Sequence, residues 1–290
     1  MKLSSFYKHV CFLILLSSFT IYLHAEEVFP NNLHIKENKQ VADYLRFIRA
    51  FEENLGPFGD YSKGEIQIIL DPEEIAQIEE NHRLKLLRRG VDEKSAFKWS
   101  RVGIIDSDSI WIWIRDAVIL PSGRKTIRDR MTWKTAVDGP QGVSTLPVLK
   151  DKRMILCLKY KHATRSWQIE LPRGVRLFGE TAEKASNRQL RKDTGFTASN
   201  QLYLGSVAPD SSNFSTLTPV FLGYLDEQEE PTVQSGEDVL GLLILTKSEI
   251  KDAFLKGHLE LKIHDKVKKV AVNDSYLAFA ILQAEIRGLI

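Results

Sequence analysis

The stretch LPRGVRLFGETAEKASNRQLRKDTGF, residues 171–196, decides how the rest of the chain is read. It opens at the end of an apolar run, WQIEL, and Gly174 and Gly179 allow a tight loop. A helix follows, on which Gln189 and Asp193 stand four residues apart and so share one face. Glu180 lies just before that helix, and Arg173, Arg176, Lys184, Arg191 and Lys192 gather around it.

The flanking sequence sets this stretch in a chain of mixed strands and helices. Residues 26–96 read as a helical extension. VADYLRFIRAFEENLG places Val41, Tyr44, Leu45, Ile48 and Phe51 on one face, and Gly56-Pro57 stops the helix. DPEEIAQIEENHRLKLLRRG predicts a second helix with Asp71 as N-cap, Pro72 at its first position and Gly90 at its end. From about Trp99 the period changes to two, with turns at Asp106-Ser107-Asp108 and Pro121-Ser122-Gly123. The run Ile110-Trp111-Ile112-Trp113-Ile114 is apolar on both faces, as in a strand packed on two sides or in a dimer interface. Further strands are expected in 142–172, with a turn at Asp151-Lys152, and again in LYLGSVAP, TPVFLGYLDE and VLGLLIL. A final helix, NDSYLAFAILQAEIRGL, would be capped by Asn273 or Asp274 and bury Leu277, Ile281, Leu282 and Ile286.

Charge and cysteine content exclude several classes. The net charge is +2, and KVKKVAV lacks interleaved aromatics, so no nucleic-acid partner is expected. Lys2 and Lys8, the apolar run CFLILLSSFTIYL and HAEE together have the form of a secretory signal, with cleavage expected after Ala25. That run falls short of the roughly 20 residues of a membrane span, so an exported chain without a stable span is expected after cleavage. Cleavage would leave Cys157 as the lone cysteine, set in the apolar run RMILCLKY as a buried structural thiol. The chain lacks HExxH spacing, a CxxC pair and a nucleophile elbow, so neither zinc nor serine-hydrolase chemistry is indicated.

The stretch resembles the Nudix box. Gly174, Glu180, Arg188, Leu190, Gly195 and Phe196 fall in its register, and Asp193 holds an acidic position with a shorter side chain. WQIELPRG, GVSTLPVL, LKYKHA and GEDVLGLLILTKSEI more narrowly resemble the ADP-ribose pyrophosphatase branch, from about residue 100 to 290. The resemblance implies an α/β chain with a Nudix α/β/α sandwich over 97–290. Its β-rich segment at 97–140 would help to form a homodimer, preceding a core at 141–290. It implies magnesium or manganese held by Asp193, Gln189, Glu180 and the carbonyl of Arg173, with Glu237 as the catalytic glutamate. Glu170, Arg176 and Lys192 would contact a nucleoside diphosphate derivative, while Gly174, Arg188 and Gly195 would shape the box.

The box is degenerate. Where the family carries three glutamates on the helix, this chain carries Gln189, Lys192 and Asp193. Metals neutralise the charge that spreads in diphosphate hydrolysis, and magnesium takes oxygen ligands. A lysine about 4 Å from such a site opposes each unit of cation charge by roughly 4 kcal/mol at an effective dielectric near 20. Two functions from different classes therefore stay open: a metal-dependent diphosphatase, and a silent Nudix-fold binder in which Lys192 partly takes the space of the metal.

Overall fold

The computed structural model describes residues 37–134, 142–225 and 239–290. The signal-like segment and Glu237 lie outside these residues. The chain divides into two compact units, Met1–Val137 and Asp138–Ile290. The division does not fall at the expected boundary near residue 97, because the strands that follow fold with the helices before them.

In the first unit, helix α1 (Glu37–Ala50) buries Tyr44, Leu45 and Ile48 as its spacing predicts, and adds Phe47. A short turn of helix, α2 (Glu52–Leu55), ends at Gly56. Strand β1 (Gln67–Ile68) leads to α3 (Pro72–Arg88), where the Asp71 carboxylate accepts from the Glu74 amide at 2.8 Å. Helix α4 (Glu93–Ser100) is capped in the same way by Asp92, at 3.0 Å from the Ser95 amide. Then come β2 (Gly103–Ser107), β3 (Trp111–Ile119) and β4 (Lys125–Trp133). The long strand β3 pairs antiparallel with β4 along one edge, and with β2 and β1 along the other. Ile112 and Ile114 of β3 are buried against Tyr44, Phe47 and Ile75. The alternate residues are not: Trp113 is 37% exposed, and Trp111 stacks on Trp133 with ring centroids 4.1 Å apart. Only one face of the apolar run is thus buried within this unit.

A polar knot sits inside that apolar layer. Asp116, 3% exposed, accepts from the Tyr44 hydroxyl at 2.6 Å and from Arg130 Nε at 2.7 Å. Arg130 also donates to the Leu55 carbonyl at 3.0 Å. Burial and the Asp116 carboxylate together hold the Tyr44 hydroxyl far above its usual pKa.

The second unit is built on a nine-stranded mixed sheet. Its strands are β5 (Gly142–Val148), β6 (Met154–Lys161), β7 (Ser166–Glu170), β8 (Arg173–Val175), β9 (Ala198–Val207), β10 (Thr218–Leu225), β11 (Val239–Leu245), β12 (His258–Ile263) and β13 (Lys266–Ala271). The order is β12-β13-β7-β6-β5-β10-β9, with β11 on β6 and β8 on β5. The β5–β10 pair is parallel, while β6–β7 and β6–β11 are antiparallel. Between β8 and β9 lies α5 (Ala182–Thr194); α6 (Lys247–Lys256) follows β11, and α7 (Ser275–Ile286) closes the chain.

Strand β6 divides its side chains by the period of two. Met154, Leu156 and Leu158 join the large core with Ile250 of α6 and Leu277, Ala280 and Ala284 of α7. Ile155 packs instead with Leu190 of α5, Phe196 and Leu225. Cys157 is fully buried, and that burial pushes its thiol up to about 12, as expected of a structural residue.

Two expectations for α7 are corrected. Leu277 and Ile281 are buried, but Leu282 and Ile286 are 54% and 70% exposed, and Ala280 and Ala284 complete the buried stripe. Small side chains let the helix approach the sheet closely, which the choice of large apolar residues missed. Asp274 stands at the N-cap without a side-chain capping bond, because its carboxylate is engaged elsewhere.

Replacing Asp116 by alanine leaves Tyr44 and Arg130 without their buried acceptor. The expected loss is about 3–5 kcal/mol of unfolding free energy, measured by urea titration. A loss below about 1 kcal/mol would mean that the knot contributes little.

Candidate functional site

The loop and helix of residues 171–196 fold as a frame fixed at three points. Thr181 caps α5 by accepting from the Lys184 amide at 3.3 Å, and Gly195 ends it in the left-handed conformation, φ 83°. Glu180 and Arg188 form a two-point ion pair, both bonds at 2.8 Å, and Arg188 reaches on to the Val175 carbonyl at 2.9 Å. Glu180 also accepts from the Leu177 amide at 3.0 Å, tying the loop back to the helix. Bonding to Arg188 is the largest cause that holds the Glu180 carboxyl down to about 2.

Gly174 lies in close approach to the Gln189 side chain. Strand β8 pairs with β5 through Val143 and Gly174, and a Cβ on Gly174 would overlap the Gln189 side-chain amide. Gln189, 8% exposed, donates from its amide nitrogen to the Val175 carbonyl at 3.2 Å. The side chain is thereby tied to the loop backbone.

Asp193 is 7% exposed, and its Oδ2 accepts from the ammonium of Lys159 on β6 at 2.8 Å. The Arg173 amide lies 3.4 Å from the same oxygen. Lys159 is itself only 6% exposed, so this is a buried ion pair. Lys192 is exposed on the outer side of α5, so the ammonium that meets Asp193 is not the one expected.

Glu170 is fully buried. Its Oε1 accepts from Arg173 at 2.8 Å; its Oε2 lies 3.2 Å from the Lys161 ammonium in ion-pair range but without an aligned hydrogen bond. Arg173 donates its other arm to Asp274 at 2.6 Å and lies over the Tyr276 ring, 4.9 Å from the centroid. Burial opposes the charge on Arg173, but Asp274 and Glu170 outweigh it and its pKa is raised. Asp274 also accepts from the Leu171 amide at 3.3 Å, which explains why it does not cap α7.

The structure thus brings Arg173, Gly174, Glu180, Arg188, Gln189, Asp193 and Gly195 into one frame, with Arg176 in the loop between β8 and α5. Glu237 lies outside the described residues. Sequence reading missed Lys159, Lys161 and Asp274. A signal for the lysines was present: Lys159 and Lys161 alternate with apolar residues at the end of a strand, and a lysine on a buried face requires a partner.

The donor set does not fit a magnesium or manganese ion. Such ions need several free oxygen donors converging on one point. Here both Glu180 oxygens are held by Arg188 and Asp193 Oδ2 by Lys159, while Gln189, tied to the Val175 carbonyl through its amide nitrogen, offers only a neutral oxygen. Among the described residues, no group of three or more acidic, histidine or cysteine side chains stands ready to hold a metal. A separate cleft of about 530 Å³ in the first unit, lined by Arg49, Glu79, Phe97 and Arg101 among others, contains none of the residues singled out in the sequence.

No family model matches the chain, and no curated protein matches it. A solved structure described as an ADP compounds hydrolase is similar over 66% of this chain and 95% of that chain, at 18% identity and a TM-score of 0.49.

Two expectations follow from the frame. Gly174→Ala should cost about 1–3 kcal/mol by forcing Gln189 aside, and a Gln189→Ala partner change should recover much of that loss in a double-mutant cycle. Full additivity would mean that the two residues are not in contact. The Glu180 carboxyl is lower in the folded state than its ordinary 4.5, so its contribution is present above that value. As pH falls from about 4.5 towards 2 it is lost, and acid unfolding of Glu180→Gln should lack that component.

Proposed function

We propose that this chain is a Nudix-fold protein of the ADP-ribose and nucleoside-diphosphate-sugar pyrophosphatase type, in which hydrolysis is weak or absent. In this reading residues 141–290 form the Nudix α/β/α core, and the frame of Gly174, Glu180, Arg188 and Gly195 keeps the shape of the box. The observation that carries the reading is the buried pair of Asp193 and Lys159: the acid at a box metal position is already neutralised from within the protein.

A nucleoside diphosphate derivative would be held by basic side chains rather than through metal. Arg173, Arg176, Lys161 and Lys192 are the candidates, since arginine and lysine bind phosphate oxygens directly. Glu170 would orient Arg173 for that contact. Export with cleavage after Ala25 and a homodimer formed through the β2–β4 region belong to the same proposal. The half-exposed Trp113 and Ile110 support the latter.

The alternative is an active metal-dependent hydrolase, in which Asp193, Gln189, Glu180 and the Arg173 carbonyl hold magnesium or manganese and Glu237 positions water. The intact loop and helix frame favours keeping it.

The test is hydrolysis of ADP-ribose and a panel of nucleoside diphosphate derivatives by the mature chain, with magnesium and with manganese. The expected result is no turnover above background, with ligand binding that survives a metal chelator. Turnover that disappears in Asp193→Ala or Glu237→Gln would establish the alternative instead.

A further inference from the structure

Lys159 and Lys161 stand two residues apart on β6, on the side away from the core formed by Leu156 and Leu158. Each places an ammonium group at a buried carboxylate. Lys159 Nζ lies 2.8 Å from Asp193 Oδ2, and Lys161 Nζ lies 3.2 Å from Glu170 Oε2. The two differ in setting. The Lys161 side chain is 34% exposed and can be displaced towards solvent, whereas that of Lys159 is 7% exposed and is enclosed with its acid.

We propose that Lys159, a residue outside the box, is the group that keeps a divalent cation from Asp193, its ammonium taking the place the cation would have. This rests on the Nudix-type reading of the site. The ammonium supplies one positive charge at hydrogen-bond distance from the oxygen a metal would need, so a cation entering there meets both a filled ligand position and a like charge. Removing either partner alone would bury an uncompensated charge, so the pair is held together by the low polarity of its surroundings. Lys192 has no part in this, because it is exposed on α5. Restoring glutamate at positions 189 and 192 therefore does not by itself rebuild a metal site.

The experiment is Mn²⁺ binding to the mature chain without substrate, followed by electron paramagnetic resonance of the free ion. Gln189→Glu/Lys192→Glu is compared with the same pair of changes carrying Lys159→Met, Lys159→Gln or Lys159→Arg, each checked for cooperative thermal unfolding. The Met and Gln triple variants are expected to bind Mn²⁺ about tenfold or more tightly than the double variant, an effect within reach of one unit charge at contact distance. The Arg variant, which keeps a cation, should show no gain. Equal affinity in the double variant and the folded Met or Gln triple variant would overturn the proposal, as would a gain in the Arg variant. Because this readout needs no turnover, it stands apart from the hydrolysis assay that tests the functional reading.

Discussion

Between β6 and α5 a lysine and an aspartate face each other with almost no access to water, and the surrounding structure is arranged around keeping that contact. A charge so enclosed costs several kcal/mol unless it is matched, and the cost falls on whichever partner is left alone. Helix α5 must therefore present Asp193 towards the sheet, and β6 must send Lys159 out of an otherwise apolar strand. The Arg173 amide at 3.4 Å from the same carboxylate oxygen brings β8 into the arrangement as well. The contact draws three separate segments to one point, and it spends the acid on which metal chemistry at this helix would depend.

Around that point the acids are matched one by one. Glu180 is held by Arg188, and Glu170 by Arg173 and Lys161; Asp274 shares Arg173 with Glu170. Arg173 is the hinge of this network, bonded to two carboxylates and lying over Tyr276, so the loop leading into α5 is anchored to the start of α7. A site in which each carboxylate has a protein cation is well suited to stability. It is poorly suited to collecting a metal ion, since Asp193 Oδ2 and both Glu180 oxygens must first give up a charged partner.

The first unit solves a different problem. Its sheet buries Ile112 and Ile114 under α1, and it admits one charged knot, Tyr44 with Asp116 and Arg130, into that layer. The knot links α1 to two neighbouring strands by directional bonds, which apolar contact alone does not supply. The opposite side of β3 carries the stacked Trp111 and Trp133 and the half-exposed Trp113.

Much of this was legible in the sequence where the cause is local. Asp71 before Pro72 caps α3, and unbroken apolar runs mark β3 and β6, because caps and strands depend on residues a few positions apart. The ion pair of Glu180 and Arg188 is equally local, spanning only eight residues. What the sequence could not assign was the partner of Asp193. Lys159 lies 34 positions away in the chain, and Lys192, its near neighbour in sequence, is turned to solvent by the helix period. Likewise Asp274, a cap by position, pairs with an arginine 101 residues earlier. Charges choose partners by distance and burial in the folded chain. The tertiary structure alone therefore decided which cation meets Asp193.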